Sequence, residues 1–225
     1  MEYCEKGSLY HLLRKEKMTW DKFFSFALQM LKGISALHNS TPQVLHRDVK
    51  TLNFLVNKNY VIKVADFGLS RFNTRSNQVT LNKTRGTSVY CAPEVFEGKE
   101  YSQKSDLYSL GTVFWEMVYT VINQRYLHPY AEYKKLNEFQ IMLSTANNDL
   151  RPTLPPTTPT SIRALIQSCW EKDLSKRPIA SEAFDTLEII QKEYQSNQAA
   201  WDEIINHRDT NSTSDQSSES SSFSN

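Results

Sequence analysis

The stretch from Leu107 to Val118 constrains the fold more than any other part of this chain. Its apolar members, Leu107, Leu110, Val113, Phe114, Trp115, Met117 and Val118, fall on most sides of a helix. A helix apolar nearly all round lies at the centre of its domain, with other elements packed about it. Ser105 or Asp106 is placed to cap its N-terminus. No apolar run approaches the roughly 20 residues that cross a bilayer, so this helix is expected inside protein.

The remaining pattern supplies partners for it. After Thr19, an N-cap, the residues Phe23, Phe26, Ala27, Met30, Leu31, Ile34 and Leu37 recur at three- and four-residue intervals and predict a helix ending near Asn39. Ser161 begins a third helix, with Ile162, Leu165, Ile166 and Cys169 facing inward. Arg177-Pro178 interrupts the chain before a fourth, built on Ala183, Phe184, Leu187, Ile190 and Tyr194. Strand signals are short: Val44-Leu45, Phe54–Val56 and Val61–Val64, the last two joined by a hairpin turn at Asn57-Lys58-Asn59. Four prolines between Pro152 and Pro159 make that segment a loop. Beyond Asn206 the composition falls to Ser, Thr, Asn and Asp, too polar to order itself. The expected fold class is mainly α (α+β), with one small β-hairpin. Trp115, Trp170 and Trp201 read as packing residues, and His11, His38, His128 and His207 show no partner pattern.

Composition narrows the setting. A net charge of +1 over 225 residues gives no electrostatic reason to expect nucleic acid. The first residues are polar and lack a signal-peptide core. Cys4, Cys91 and Cys169 lie far apart and read as free thiols of a reducing compartment, cytoplasmic with a nuclear location open; Cys4 reads as buried and inert.

The chemistry gathers between His46 and Glu94. Asp48 stands in Leu45-His46-Arg47-Asp48-Val49-Lys50-Thr51-Leu52-Asn53, on a loop between the first long helix and the hairpin, and Asp66-Phe67-Gly68 follows the last strand. Two carboxylates and an amide oxygen arriving from adjacent loops make a hard oxygen set suited to Mg2+. Asp-Phe-Gly alone is a weak signal; both segments in this order and spacing are far more specific.

These residues resemble the protein-kinase catalytic loop, with Val49 where Leu is common, the metal-binding motif at Asp66-Phe67-Gly68, and the closing motif of the activation segment at Ala92-Pro93-Glu94. The resemblance implies a protein-kinase-like fold represented by its large helical C-terminal lobe. It also implies phosphoryl transfer from ATP to a protein substrate, with roles taken from that general case. Asp48 would orient the substrate hydroxyl and accept its proton, and Lys50 would steady the γ-phosphate. Asn53 and Asp66 would hold Mg2+, while His46 and Phe67 would pack together behind them. Asp106 would anchor the catalytic loop through backbone N–H groups, and Glu94 and Arg177 would form a buried ion pair. Cys169-Trp170 and Lys176-Arg177-Pro178 resemble the tyrosine-kinase-like group. Lys50, and Gly86-Thr87 with Thr87 contacting Asp48 and Lys50, resemble the serine/threonine form. Leu69 to Tyr90 would be the activation loop, in which a phosphate on Thr74, Ser76, Thr80 or Thr84 would pair with Arg47, Thr80 and Thr84 being the favoured sites.

By the same resemblance, residues 1–6 are the hinge, 7–194 the lobe, 195–206 a helical extension and 207–225 a disordered Ser-rich tail. Met1 would stand at the back of the adenine pocket, the backbones of Glu2 and Cys4 would bond adenine, and Leu55 would form the pocket floor. No Gly-rich loop or strand lysine precedes them. The expectation is therefore a chain lacking an N-terminal lobe, which full activity requires. A non-catalytic scaffold built on the same lobe is the alternative, although intact Asp48, Lys50, Asn53 and Asp66 count against it. A small-molecule phosphotransferase is disfavoured by the activation segment and by the helices running to Arg177.

Overall fold

The computed structural model describes residues 3–66, 71–72 and 88–206. In chain order the helices are α1 (Leu9–Lys15), α2 (Trp20–His38), α3 (Pro93–Phe96), α4 (Gln103–Asn123), α5 (Glu138–Asn147), α6 (Thr160–Cys169), α7 (Ala180–Ser196) and α8 (Gln198–Asn206). The strands are β1 (Val44–Leu45), β2 (Phe54–Val56), β3 (Ile62–Val64) and β4 (Arg71–Phe72).

Helix α4 is the axis of the core. Leu107, Leu110, Val113, Phe114, Trp115, Met117 and Val118 are all fully buried, and α2, α6 and α8 pack against it. The approach of α6 depends on Gly111, where an added Cβ would lie 2.7 Å from the Cβ of Cys169. The helix begins earlier than the apolar pattern indicates. Ser102 caps it in a box with Ser105, so neither Ser105 nor Asp106 is the cap. The opening turn, Gln103-Lys104, is polar and carries no periodic signal, and it moves Asp106 inside the helix. Helix α6 likewise starts at Thr160 rather than Ser161.

Helix α2 has the capped start and the end that its stripe predicts: Thr19 Oγ1 accepts from Lys22 N at 3.2 Å, and Asn39 closes the C-terminus. It supports the hairpin on one side and α7 on the other. At Gly33 a Cβ would sit 2.7 Å from Val64 Cγ2, so glycine lets β3 lie directly on the helix. Strands β2 and β3 are antiparallel, with Phe54 opposite Val64 and Val56 opposite Ile62. Asn57 Oδ1 closes the turn by accepting from Asn59 N and Val61 N, each at 3.0 Å. Strand β1 pairs antiparallel with β4, which brings Arg71-Phe72 beside Val44-Leu45. Short α1, α3, α5 and β4 carry too few periodic residues to be legible in sequence. Among the described residues no helix is long and apolar enough to cross a membrane.

An aromatic cluster ties the end of the described chain to α2. The Trp201 ring lies 5.0 Å from Trp20 edge-on and 5.5 Å from Tyr194, while Trp20 Nε1 donates to the Trp201 carbonyl at 3.0 Å. Aromatic pairs in this geometry add to the burial of their own area. Replacing Trp201 with Ala should lower unfolding stability by about 3–5 kcal/mol in urea titrations; an unchanged midpoint would mean that α8 is not docked in solution.

Candidate active site

The site is organised from below by one carboxylate. Asp106 is fully buried in the first turn of α4. Its Oδ2 accepts from His46 N at 2.9 Å and from His38 Nε2 at 2.9 Å. Its Oδ1 accepts from Arg47 N at 3.0 Å and from Tyr101 Oη at 2.5 Å. Burial pushes the Asp106 carboxyl up, but His38, Tyr101 and the Arg47 amide outweigh it and leave the group below its ordinary value. The same bonds hold Arg47 at φ 69°, a left-handed conformation that a non-glycine residue keeps only when its surroundings impose it. His38, which has no partner pattern in the sequence, thus has a defined structural place.

Above this anchor the loop folds onto itself. Asp48 is buried, and its Oδ2 lies 2.7 Å from Lys50 Nζ and accepts from Asn53 Nδ2 at 2.8 Å. Asn53 Nδ2 also donates to the Asp48 carbonyl at 2.7 Å, leaving Oδ1 as the remaining acceptor of that amide. A tight turn over Thr51–Asn53, with Asn53 N bonded to Lys50 O at 3.0 Å, supplies this return. Asp48 Oδ1 is buried and has no hydrogen-bond partner among the described residues.

The second carboxylate is brought close through backbone. Ala65 N donates to Asn53 O at 2.9 Å, placing Asp66 one residue beyond the loop's asparagine. The His46 ring joins the two segments: Nδ1 accepts from Asp48 N at 3.3 Å, so Nε2 carries the proton and donates to Ala65 O at 3.1 Å. Asp66 itself is exposed and has φ 61°. Asn53 and Asp66 are a pair of hard oxygen donors of the kind Mg2+ takes alongside substrate phosphates, so the residues present fit that ion. Cys4 is buried, and Ser8 bridges Leu55, which is half-buried on β2. Met1, Glu2, Phe67 and Thr87 lie outside the described residues, as do Thr74, Ser76, Thr80 and Thr84 and the tail from residue 207.

Two further buried acids flank the loop. Glu94 makes a two-point pair with Arg177, Nη1 to Oε1 at 2.8 Å and Nη2 to Oε2 at 3.2 Å, and Ser105 Oγ donates to Oε1 at 2.8 Å. Arg177 also donates to the Lys104 and Glu171 carbonyls, so this fully buried cation is well satisfied. Burial raises the Glu94 carboxyl and the Arg177 guanidinium overcomes it, for a net lowering. Glu116 is the counter-case. It is fully buried on α4 and has only hydroxyl donors: Tyr126 at 2.7 Å, Tyr90 at 2.9 Å and Thr51 at 3.2 Å. Burial pushes its carboxyl up to about 8 against those hydrogen bonds. A single acid inside an otherwise apolar run was the sequence signal for it. Through Thr51 and Tyr90 it joins the catalytic loop to the segment leading into α3.

Glu116 gives a pH prediction. Between its ordinary value of 4.5 and about 8 the folded state holds a proton that the unfolded state has lost, so this group's contribution to stability falls as pH rises. Glu116→Gln should flatten that decline, by up to about 1.4 kcal/mol per pH unit relative to the parent. Parallel pH–stability curves for the two proteins would contradict it.

The comparisons agree with this geometry. The protein kinase domain model matches residues 1–187. Among curated proteins of Dictyostelium discoideum, the chain is similar to an ankyrin repeat-containing protein kinase A, with 58% identity over 93% of this chain and 14% of that protein. It is also similar to stress-activated protein kinase alpha, with 48% identity over 91% of this chain and 33% of that protein. A probable serine/threonine-protein kinase matches at 49% identity over 91% of this chain and 21% of its own length. The chain therefore spans about a third or less of the length of these relatives. With the buried Glu94–Arg177 pair and the helical frame in place and the domain model matching most of its length, this chain belongs to the protein kinase domain family.

Proposed function

We propose that this chain forms the catalytic lobe of a serine/threonine protein kinase that transfers the γ-phosphate of ATP to a protein hydroxyl. The observation that carries the reading is the division of labour on Asp48: Oδ2 is occupied by Lys50 and Asn53, while Oδ1 is buried without a partner among the described residues. A buried acceptor of that kind is costly unless a ligand completes it. A substrate hydroxyl donating to Oδ1 would be oriented for attack, and its proton would pass to Asp48 as the hydroxyl oxygen bonds the γ-phosphorus and the bond to the β–γ bridging oxygen breaks, releasing ADP.

The Lys50 ammonium, 2.7 Å from Asp48, would meet the incoming phosphoryl group and offset its charge. Asn53 Oδ1 and the Asp66 carboxylate would hold Mg2+, which neutralises charge on the ATP phosphates. Lys50 and the Gly86-Thr87 pair support serine/threonine specificity. The name of one of the relatives above, a probable serine/threonine-protein kinase, supports it. Free cysteines, two of them buried, suit a reducing compartment such as cytosol or nucleus.

The test is phosphate transfer by the full-length protein to a generic protein substrate, with identification of the phosphorylated residue. Asp48→Asn should lower the rate by roughly 10²–10⁴ with little change in folding. Phosphotyrosine as the main product would overturn the specificity, and undiminished transfer by Asp48→Asn would overturn the role of Asp48.

A further inference from the structure

Glu16 follows α1 at a distance from the catalytic loop, yet its carboxylate joins four chain segments. Oε1 pairs with Lys6 Nζ at 2.9 Å, and Oε2 pairs with Lys22 Nζ at 3.0 Å and accepts from Tyr60 Oη at 2.8 Å. Lys6 precedes α1, Lys22 lies in the first turn of α2, and Tyr60 is in the hairpin turn. The Lys6 ammonium also stands 4.1 Å above the Tyr60 ring, and Tyr60 in turn stacks on Phe26 of α2. Burial raises the Glu16 carboxyl, and the two ammoniums and the phenol bring it down to about 2.

What the cluster holds is the edge of β2. Lys6 N donates to Val56 O at 3.1 Å, Val56 N donates to Gly7 O at 2.8 Å, and Ser8 bridges Leu55. Residues 6–8 thus bond the outer edge of β2 through an isolated bridge and two flanking hydrogen bonds. Gly7 at φ 72° and its bond to the Cys4 carbonyl at 3.0 Å turn the chain back toward Cys4. Only three residues make this edge, too few to be stable by pairing alone. Lys6 belongs to this edge and Tyr60 to the hairpin turn, and Glu16 bonds both.

We propose that Glu16 is a positioning residue for nucleotide binding, fixing the backbone at Cys4 against Leu55 on β2, the two walls between which adenine would lie. This rests on the ATP-site reading above, and it adds a residue that touches neither nucleotide nor substrate. Glu16 acts on affinity and not on the chemical step, because its partner Lys6 bonds β2 at Val56, next to Leu55, and none of its partners bonds Asp48. Its side chain is 31% exposed and that of Lys6 24%, so the cluster is open to screening by salt.

The experiment measures Kd for Mg-ATP, and KM and kcat, for the full-length protein and its Glu16→Ala, Lys6→Met and double variants. Glu16→Ala should raise Kd and KM for ATP about three- to tenfold with kcat within about twofold, as expected for losing a small network of partly exposed pairs. The double variant should be no worse than the poorer single one. Raising salt should narrow the gap in ATP affinity between the parent and Glu16→Ala. An unchanged Kd, or a fall in kcat at constant KM, overturns the proposal. A parent that binds ATP but transfers no phosphate overturns the kinase reading and leaves Kd to decide this one, and a parent that binds no ATP overturns both.

Discussion

The arrangement depends on the four hydrogen bonds received by the buried carboxylate of Asp106. Two come from consecutive amides of the catalytic loop, one from the last residue of α2 and one from Tyr101 just ahead of α4. A carboxylate moved from water into a protein interior loses several kcal/mol of solvation unless such donors replace the water. Asp106 has a full set, so the loop cannot leave without exposing that cost. The loop's own strain at Arg47 is held by the same bonds.

The three buried acids on or facing α4 solve the same problem in different ways. Asp106 is satisfied by amides, a histidine and a phenol. Glu94 is satisfied by the two-point bond from Arg177, and removing one member of such a pair costs about 3–5 kcal/mol because the other charge is stranded. Glu116 has hydroxyls only, and it is the one whose carboxyl burial keeps protonated near neutrality. Each acid links α4 to a different part of the functional surface: Asp106 to the start of the catalytic loop, Glu116 to Thr51 and Tyr90, and Glu94 to α3. The central helix therefore fixes the site as well as the core.

Much of this was legible in the sequence because it lay in periodic or clustered residues. The α2 stripe, its Thr19 cap and the hairpin follow from spacing and turn chemistry. The candidate site segments stand out through their resemblance to the protein-kinase motifs at His46–Asn53 and Asp66–Gly68. What escaped was set by long-range contact. The start of α4 was misplaced because its first turn is polar and its capping box pairs Ser102 with Ser105. His38 and Tyr101 gave no signal because their partner, Asp106, is 68 residues from one and packed against the other only once the chain folds. Glu16 reads as an ordinary surface acid until Lys6, Lys22 and Tyr60 converge on it. Phe67, Thr74, Ser76, Thr80 and Thr84 fall outside the described residues.

Hydrogen exchange at the His46 and Arg47 amides tests the central claim most directly. If Asp106 holds the catalytic loop as a rigid part of the core, both amides should exchange only on global unfolding, at the rate of buried α4 amides such as Leu110 and Val113. Exchange of His46 and Arg47 at the rate of an exposed loop, while α4 stays protected, would contradict the account.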